Sequence, residues 1–307
     1  MGKYKFKTEP FDHQRKALEE SWSAEFFALF MEMGTGKSKV AIDTMAMLCE
    51  AKELGAVLII APKGVYDNWV KGEIPTHLPD RIERLVVRWT PSTSKKFQEE
   101  MKELVYQPFE GLKIFVMNVE AFSTPRGTKA AYAFLTKNPA NMLLVDESTT
   151  IKNRKATRTK NIMMLAKDAK YKRILTGSPV TKSPMDLFSQ CSFLSSEALG
   201  FNSYYAFQSR YAIVQKRTMG SRSFQEISGY RRLDELNLKL DSFSNRVLKE
   251  ECLDLPPKMY IRRDVPLTTE QEKAYIQMKK LALAKLDNGE LATTSSVLTQ
   301  IMRLQQI

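Results

Sequence analysis

Residues 26–40 read Phe26-Phe-Ala-Leu-Phe-Met-Glu-Met-Gly34-Thr-Gly36-Lys37-Ser38-Lys-Val40, an apolar run that breaks into a glycine-containing turn and resumes at helical spacing. An unbroken apolar run as short as Phe26–Met31 predicts a strand buried on both faces, while Lys37 to Leu54 carries apolar residues at helical spacing. Gly34 and Gly36 let the backbone turn tightly and aim N–H groups at an anion, and the following helix adds the positive end of its dipole. In a phosphate-binding loop of this kind Lys37 would reach the β and γ phosphates and the Ser38 hydroxyl would ligate Mg²⁺. Met31 stands where the fuller GxxxxGK[ST] pattern has its first glycine, and an ordinary turn before a helix is the plainer alternative.

The same alternation extends outward. Short Val/Ile/Leu-rich runs recur at Ala56–Ala61, Arg84–Trp89, Leu112–Asn118, Asn141–Asp146 and Arg173–Thr176, with helical stretches at Ser94–Val105 and Ala156–Ala166 between them. Strands alternating with helices predict a doubly wound parallel α/β sheet. After Pro184 the pattern reads as helical segments without strand alternation, interrupted by a loop carrying Gly220, Ser221, Ser223, Ser228 and Gly229. Leu255-Pro256-Pro257 stops any helix, Thr269 with Glu272 forms a capping box for a helix to about Leu286, and Thr294–Leu304 reads as a last helix.

In a parallel sheet all strand carboxyl ends lie along one edge, so the Asp146-Glu147 pair closing the fifth apolar run shares a cleft with the phosphate loop. Asp146 is placed to hold the Mg²⁺ shell and Glu147 to orient and deprotonate an attacking water. Taken alone, two acids after a strand are more often a charge pair opening a helix.

Composition bounds the partners. The 307 residues are 43% hydrophobic and 27% charged, and no run reaches the ~18 apolar residues of a membrane helix, so no membrane role is expected. The N-terminus lacks the apolar stretch of a secretory signal, and Cys49, Cys191 and Cys252 have no CxxC spacing; both point to reduced thiols in the cytoplasm. The formal charge of +12 is concentrated: residues 148–182 hold ten Lys or Arg against Asp168, net +9, and residues 210–232 hold six against Glu226, net +5. Such clusters suit an anionic partner, or simply form a solvated face.

Taken in order, Asp12-His13-Gln14, Met33-Gly34-Thr35-Gly36-Lys37-Ser38, Ala61-Pro62-Lys63 with Trp69, Asp146-Glu147-Ser148-Thr149, Ile151-Lys152-Asn153 and Leu175-Thr176-Gly177-Ser178-Pro179-Val180 resemble the first RecA-like lobe of superfamily 2 helicase-like ATPases. Glu32-Met33, Ile151-Lys152-Asn153, Leu187 with Phe193-Leu194, and Leu255-Pro256-Pro257-Lys258 leading to Leu267-Thr268-Thr269-Glu270-Gln271 match the Swi/Snf-type DNA translocases best. The resemblance implies a P-loop NTPase lobe over 1–195 and a mainly helical extension over 196–307 that leads toward a second RecA-like lobe beyond Ile307. It further implies a DNA-dependent ATPase that uses ATP and Mg²⁺, with Met33 to Ser38 on the nucleotide and Gln14 reading adenine. Thr149, Thr176, Gly177 and Ser178 would couple the nucleotide site to the nucleic acid. Lys63, Asn118, Lys152, Asn153 and Arg154 would line the phosphates of double-stranded DNA. A solvent-facing loop position is the plainer alternative for Lys63 and Asn118. Thr149 stands where the family usually has His, which implies an altered coupling link. The missing lobe would bring the arginine fingers, so the chain alone is expected to bind ATP weakly and turn it over slowly. A non-hydrolysing nucleic-acid binding module, a strand-separating helicase and a small-molecule kinase are the alternatives, the last disfavoured by Gln14 and the Thr-Gly-Ser-Pro motif.

Overall fold

The computed structural model describes residues 4–219, 222–252, 259, 261–287 and 302. Strands β1 (Phe26–Met31), β2 (Ala56–Ala61), β3 (Arg84–Arg88), β4 (Leu112–Asn118), β5 (Asn141–Asp146), β6 (Tyr171–Leu175) and β9 (Ser244–Val247) form one seven-stranded sheet in the order β3-β4-β2-β5-β6-β1-β9. Every pairing in it is parallel. This is the expected doubly wound, RecA-like α/β sheet. The period-2 alternation of the strands explains why their sequences are apolar throughout. Ala28 and Phe30 of β1, with Leu58 and Ile60 of β2, join one core, while Phe27, Leu29 and Met31, with Val57 and Ile59, join another on the opposite face.

Helices α1 (Asp12–Ser21) and α2 (Lys37–Glu50) supply residues to the second core. Helices Lys95–Tyr106, Pro125–Lys137, Thr157–Leu165 and Asp186–Leu194 supply residues to the first. Fully buried side chains such as Phe115, Phe134 and Leu143 each stabilise the fold by about 1.5–3 kcal/mol.

One charge inside the apolar strands has a structural explanation. Arg173 in β6 is 1% exposed, and its guanidinium donates to the carbonyls of Ser21 (2.8 Å), Ala24 (2.6 Å), Glu25 (3.2 Å) and Lys172 (2.9 Å). Three of these carbonyls lie where α1 ends and the chain turns into β1, and those of Ser21 and Glu25 also accept from backbone N–H groups, so the guanidinium ties that turn to β6. Burial pulls its pKa down to about 10.

Three sequence expectations need correction. The region after Pro184 is not strandless: β7 (Ala212–Met219) and β8 (Arg222–Tyr230) form an antiparallel hairpin, with Ser223, Ser228 and Gly229 inside β8, and β9 adds the seventh strand to the main sheet. The Gly and Ser residues that resembled a loop alternate with Phe224 and Ile227, whose pairings with Arg217 and Val214 hold the ribbon. The capping box sits one residue earlier than expected, Thr268 Oγ1 accepting from Gln271 N (3.3 Å) and Gln271 Oε1 from Thr268 N (3.0 Å), and the helix runs Thr269–Asp287. β6 begins at Tyr171 and ends at Leu175, one residue before Thr176. Leu255-Pro256-Pro257-Lys258 and, apart from Met302, the helix expected over Thr294–Leu304 lie outside the described residues.

The chain divides into two compact units, Met1–Asp254 and Leu255–Ile307. Among the described residues no helix is long and apolar enough to cross a membrane.

Candidate nucleotide site

The carboxyl ends of β1, β2, β4, β5 and β6 place the sequence motifs along one edge of the sheet. Gly34 (φ 86°) and Gly36 (φ 89°) adopt the left-handed conformation that the turn between β1 and α2 requires, and Gly36 opens α2. Gly36 is also a close-approach position, because a Cβ there would lie 2.2 Å from Gln14 Nε2. Thr35, 1% exposed, donates its hydroxyl to the Glu32 carbonyl (2.8 Å), and its own carbonyl accepts from Gln14 Nε2 (3.0 Å) and lies 2.8 Å from His13 Nε2. The start of α1 therefore clamps the loop. Gln14 Oε1 accepts from Phe11 N (3.1 Å), so both ends of the amide expected to read adenine are engaged within the protein.

Lys37 and Glu147 meet across the cleft, Lys37 Nζ lying 3.4 Å from Glu147 Oε1. Glu147 Oε2 accepts from the Thr176 hydroxyl (3.1 Å), so one carboxylate touches both the phosphate loop's lysine and the Thr-Gly-Ser-Pro segment. Glu147 itself has φ 47°, a left-handed conformation that costs a non-glycine residue about 1–2 kcal/mol and persists only where its surroundings fix it. Gly177 packs against the phosphate loop: a Cβ there would meet Glu32 Cα at 3.1 Å and Met33 N at 3.2 Å. Ser178 N donates to Thr176 Oγ1 (3.2 Å).

Asp146 is 3% exposed. Its Oδ2 accepts from the indole N–H of fully buried Trp69 (2.8 Å) and its Oδ1 from Glu147 N (3.0 Å). Burial raises its pKa above the ordinary carboxylate range, against the opposing pull of the Trp69 hydrogen bond and the Lys37 charge. Among the described residues no three His, Cys, Asp or Glu side chains converge on a metal position. The oxygen donors here, one buried carboxylate and the Ser38 hydroxyl, suit Mg²⁺, a hard cation that takes its other ligands from phosphate and water.

Several residues escaped the sequence reading. Ser148 Oγ donates to Gln190 Oε1 (2.6 Å), and Gln190 Nε2 donates to the Pro179 carbonyl (2.8 Å), a fully buried link from the acidic motif to the Thr-Gly-Ser-Pro segment. Thr149 has no side-chain hydrogen bond among the described residues, so the contacts between the two motifs run through Glu147–Thr176 and Ser148–Gln190–Pro179. Lys249, just after β9, donates its backbone N–H to Glu32 Oε2 (2.6 Å) and approaches Gly34 with its side chain. A single glutamine in an apolar helix and a lysine some two hundred residues from the loop carry no motif signal.

The residues expected on nucleic acid are unevenly placed. Lys63, after β2, is exposed, and Asn118, ending β4, donates to Glu120 Oε2 (2.9 Å). Lys152 is engaged by the Thr181 hydroxyl and lies 3.9 Å from Asp186, while Asn153 Oδ1 accepts from Lys155 N (3.0 Å) within its own turn. Arg154 stacks its guanidinium over Tyr204 (4.4 Å) and Tyr205 (5.3 Å).

The family model described as the SNF2-related domain matches residues 20–307. The chain belongs to the SNF2-related domain family. It is 27% identical over 280 residues to a zebrafish (Danio rerio) protein named SWI/SNF-related matrix-associated actin-dependent regulator of chromatin subfamily A containing DEAD/H box 1A, covering 89% of this chain and 26% of that protein. It is 28% identical over 247 residues to the DNA annealing helicase and endonuclease ZRANB3 of Bos taurus, covering 76% of this chain and 20% of the relative. The chain thus spans about a fifth to a quarter of the length of these relatives. Its fold resembles the Sulfolobus solfataricus SWI2/SNF2 ATPase core solved in complex with dsDNA, with a TM-score of 0.59, 20% identity and coverage of 99% of this chain and 59% of that one. Family membership agrees with the first RecA-like lobe of a Swi/Snf-type superfamily 2 ATPase expected from the sequence motifs.

Proposed function

We propose that this chain is the ATP-binding lobe of a motor that couples ATP hydrolysis to movement along double-stranded DNA. The observation that carries the reading is Glu147, held at once by Lys37 and Thr176. Backbone N–H groups of Gly34 to Ser38 and the start of α2 cradle the phosphates, and Lys37 binds the β and γ oxygens. Once Lys37 turns to the phosphates, Glu147 Oε1 is released to orient a water and take its proton, while Oε2 stays on Thr176. Ser38 and Asp146 would hold Mg²⁺, which neutralises charge developing on the phosphate oxygens. Gln14 reads adenine after exchanging its Thr35 and Phe11 partners for the base edge.

Thr176, Gly177 and Ser178 pass the state of the site to the nucleic-acid track, with Thr149 a lesser contributor than Ser148. Lys63, Asn118, Lys152, Asn153 and Arg154 line that track and contact phosphates without reading sequence, as movement along any duplex requires. The similarity to a core solved with dsDNA supports a duplex as the partner. A second RecA-like lobe, in the same chain or in trans, supplies arginine fingers worth about 10³–10⁵ in rate.

The test is phosphate release with and without duplex DNA, in the isolated chain and in a protein that joins this domain to a second lobe. The joined protein should show DNA-stimulated turnover and the isolated chain only slow turnover. Duplex binding with no Mg²⁺-dependent turnover in the joined protein would make the chain a binding module instead.

A further inference from the structure

A groove of about 580 Å³ lies on the sheet face opposite α2, between helix Thr157–Leu165, helix Asp186–Leu194 and the segment 195–202. Its floor is apolar, with Met163, Phe188, Phe193 and Phe201, and Met164 stands 46% exposed at its side. Arg154, Lys160, Lys167 and Lys172 surround that floor, and no carboxylate lines it. None of the four is in an ion pair among the described residues, and Arg154 has only the Tyr204 and Tyr205 rings. Partial burial lowers the Lys172 pKa, against the opposing pull of the Glu25 charge. Thr159, 1% exposed, lines the same groove, and its hydroxyl has no hydrogen-bond partner among the described residues.

A concave apolar floor ringed by cations that have no ion-pair partner among the described residues is complementary to one kind of ligand. We infer that this groove docks a segment of a partner protein that presents apolar side chains flanked by carboxylates. The apolar side chains cover the phenylalanine floor, and the carboxylates pair with Lys160, Lys167, Lys172 and Arg154. The volume lies in the ~300–1,000 Å³ range of binding pockets, and an amphipathic helix is the economical way to present such a pattern. A DNA duplex satisfies the cations alone, because its phosphates carry no apolar side chain and its bases are stacked inside. Arg154 also lines an adjoining cavity beside Lys152 and Asn153, but Lys160 and Lys167 line the groove and not that cavity, which separates the docking site from the proposed nucleic-acid track.

The probe is a fluorescein-labelled synthetic peptide helix with Leu and Phe on one face and Glu on the other, titrated with the full chain and followed by anisotropy. A control peptide keeps the glutamates but carries Ser at the apolar positions, and a duplex oligonucleotide is titrated in parallel. The amphipathic peptide should bind, the Ser control about tenfold more weakly, and Lys160→Glu/Lys167→Glu should weaken peptide binding about tenfold at unchanged Tm while affecting the duplex less. Met163→Glu, which places a carboxylate in the floor, should weaken the peptide and leave the duplex affinity in place. Absence of peptide binding, equal binding of the Ser control, or a loss of duplex affinity as large as that of the peptide would overturn the inference. The last two would mark the groove as a polyanion surface. None of these outcomes depends on ATP turnover, so failure here leaves the motor reading untouched.

Discussion

Gly36→Ala offers a quantitative test of how the phosphate loop is clamped. Alanine must hold φ near the observed 89°, at about 1–2 kcal/mol for a left-handed non-glycine residue. Its Cβ would lie 2.2 Å from Gln14 Nε2 and 2.9 Å from Gln14 Cδ, so the glutamine has to move. Moving it breaks the bond to the Thr35 carbonyl and the bond from Phe11 N, each worth about 0.5–1.5 kcal/mol net. Gly36→Ala should therefore destabilise the chain by about 2–5 kcal/mol, and Gln14→Ala by about 1–3 kcal/mol through loss of the same two bonds. Because both variants lose the same two bonds, the double variant should fall short of the sum of the singles by about 1–3 kcal/mol. Urea denaturation of the four proteins gives the cycle, and titration with a fluorescent ATP analogue reports loop integrity alongside it. Additivity within about 0.5 kcal/mol would refute the argument, since it would mean that Gln14 does not contact the loop in solution.

Lys37→Ala should abolish binding of the same analogue, whereas Glu147→Gln in the two-lobe protein should bind it and lose about 10²–10⁴ in turnover by phosphate-release assay. Trp69→Phe removes the N–H that favours the charged form of Asp146, so the acid limb of the pH–rate profile should move to higher pH, with about 1.5–3 kcal/mol of stability lost at neutral pH by urea melt. Gln190→Leu should leave analogue binding intact and reduce the stimulation of turnover by duplex DNA, because it cuts the Ser148–Pro179 link; full stimulation would show that the link carries no coupling.

The sheet was legible because strands buried on both faces must be apolar throughout. β1, β2, β4 and β5 fall on the residues where the apolar runs begin and end. The parallel arrangement they imply also puts Lys37 and the Asp146-Glu147 pair on one edge. β9 was illegible for the converse reason: Ser244-Asn245-Arg246-Val247 lies at an edge and buries little beyond Val247. The hairpin was missed because its strands are held by each other and carry the Ser and Gly that ordinarily signal a loop. Within the site, motif residues announced themselves, but Gln190 and Lys249 act through contacts made across the fold, and single polar residues without spacing leave no trace in a sequence.

Strand β9 has a practical consequence for anyone cutting this chain into fragments. The helical reading of 196–307 invites truncation near residue 195, but β9 is what pairs the outer side of β1 from Ala28 to Met31. Without it, the run Phe-Phe-Ala-Leu-Phe-Met would become an unpaired hydrophobic border, a ready template for intermolecular strand addition. The opposite border, β3, begins and ends with arginine and needs no such cover. A shorter fragment intended for crystals or binding assays should therefore run past Lys249, or it will report on aggregates rather than on the lobe.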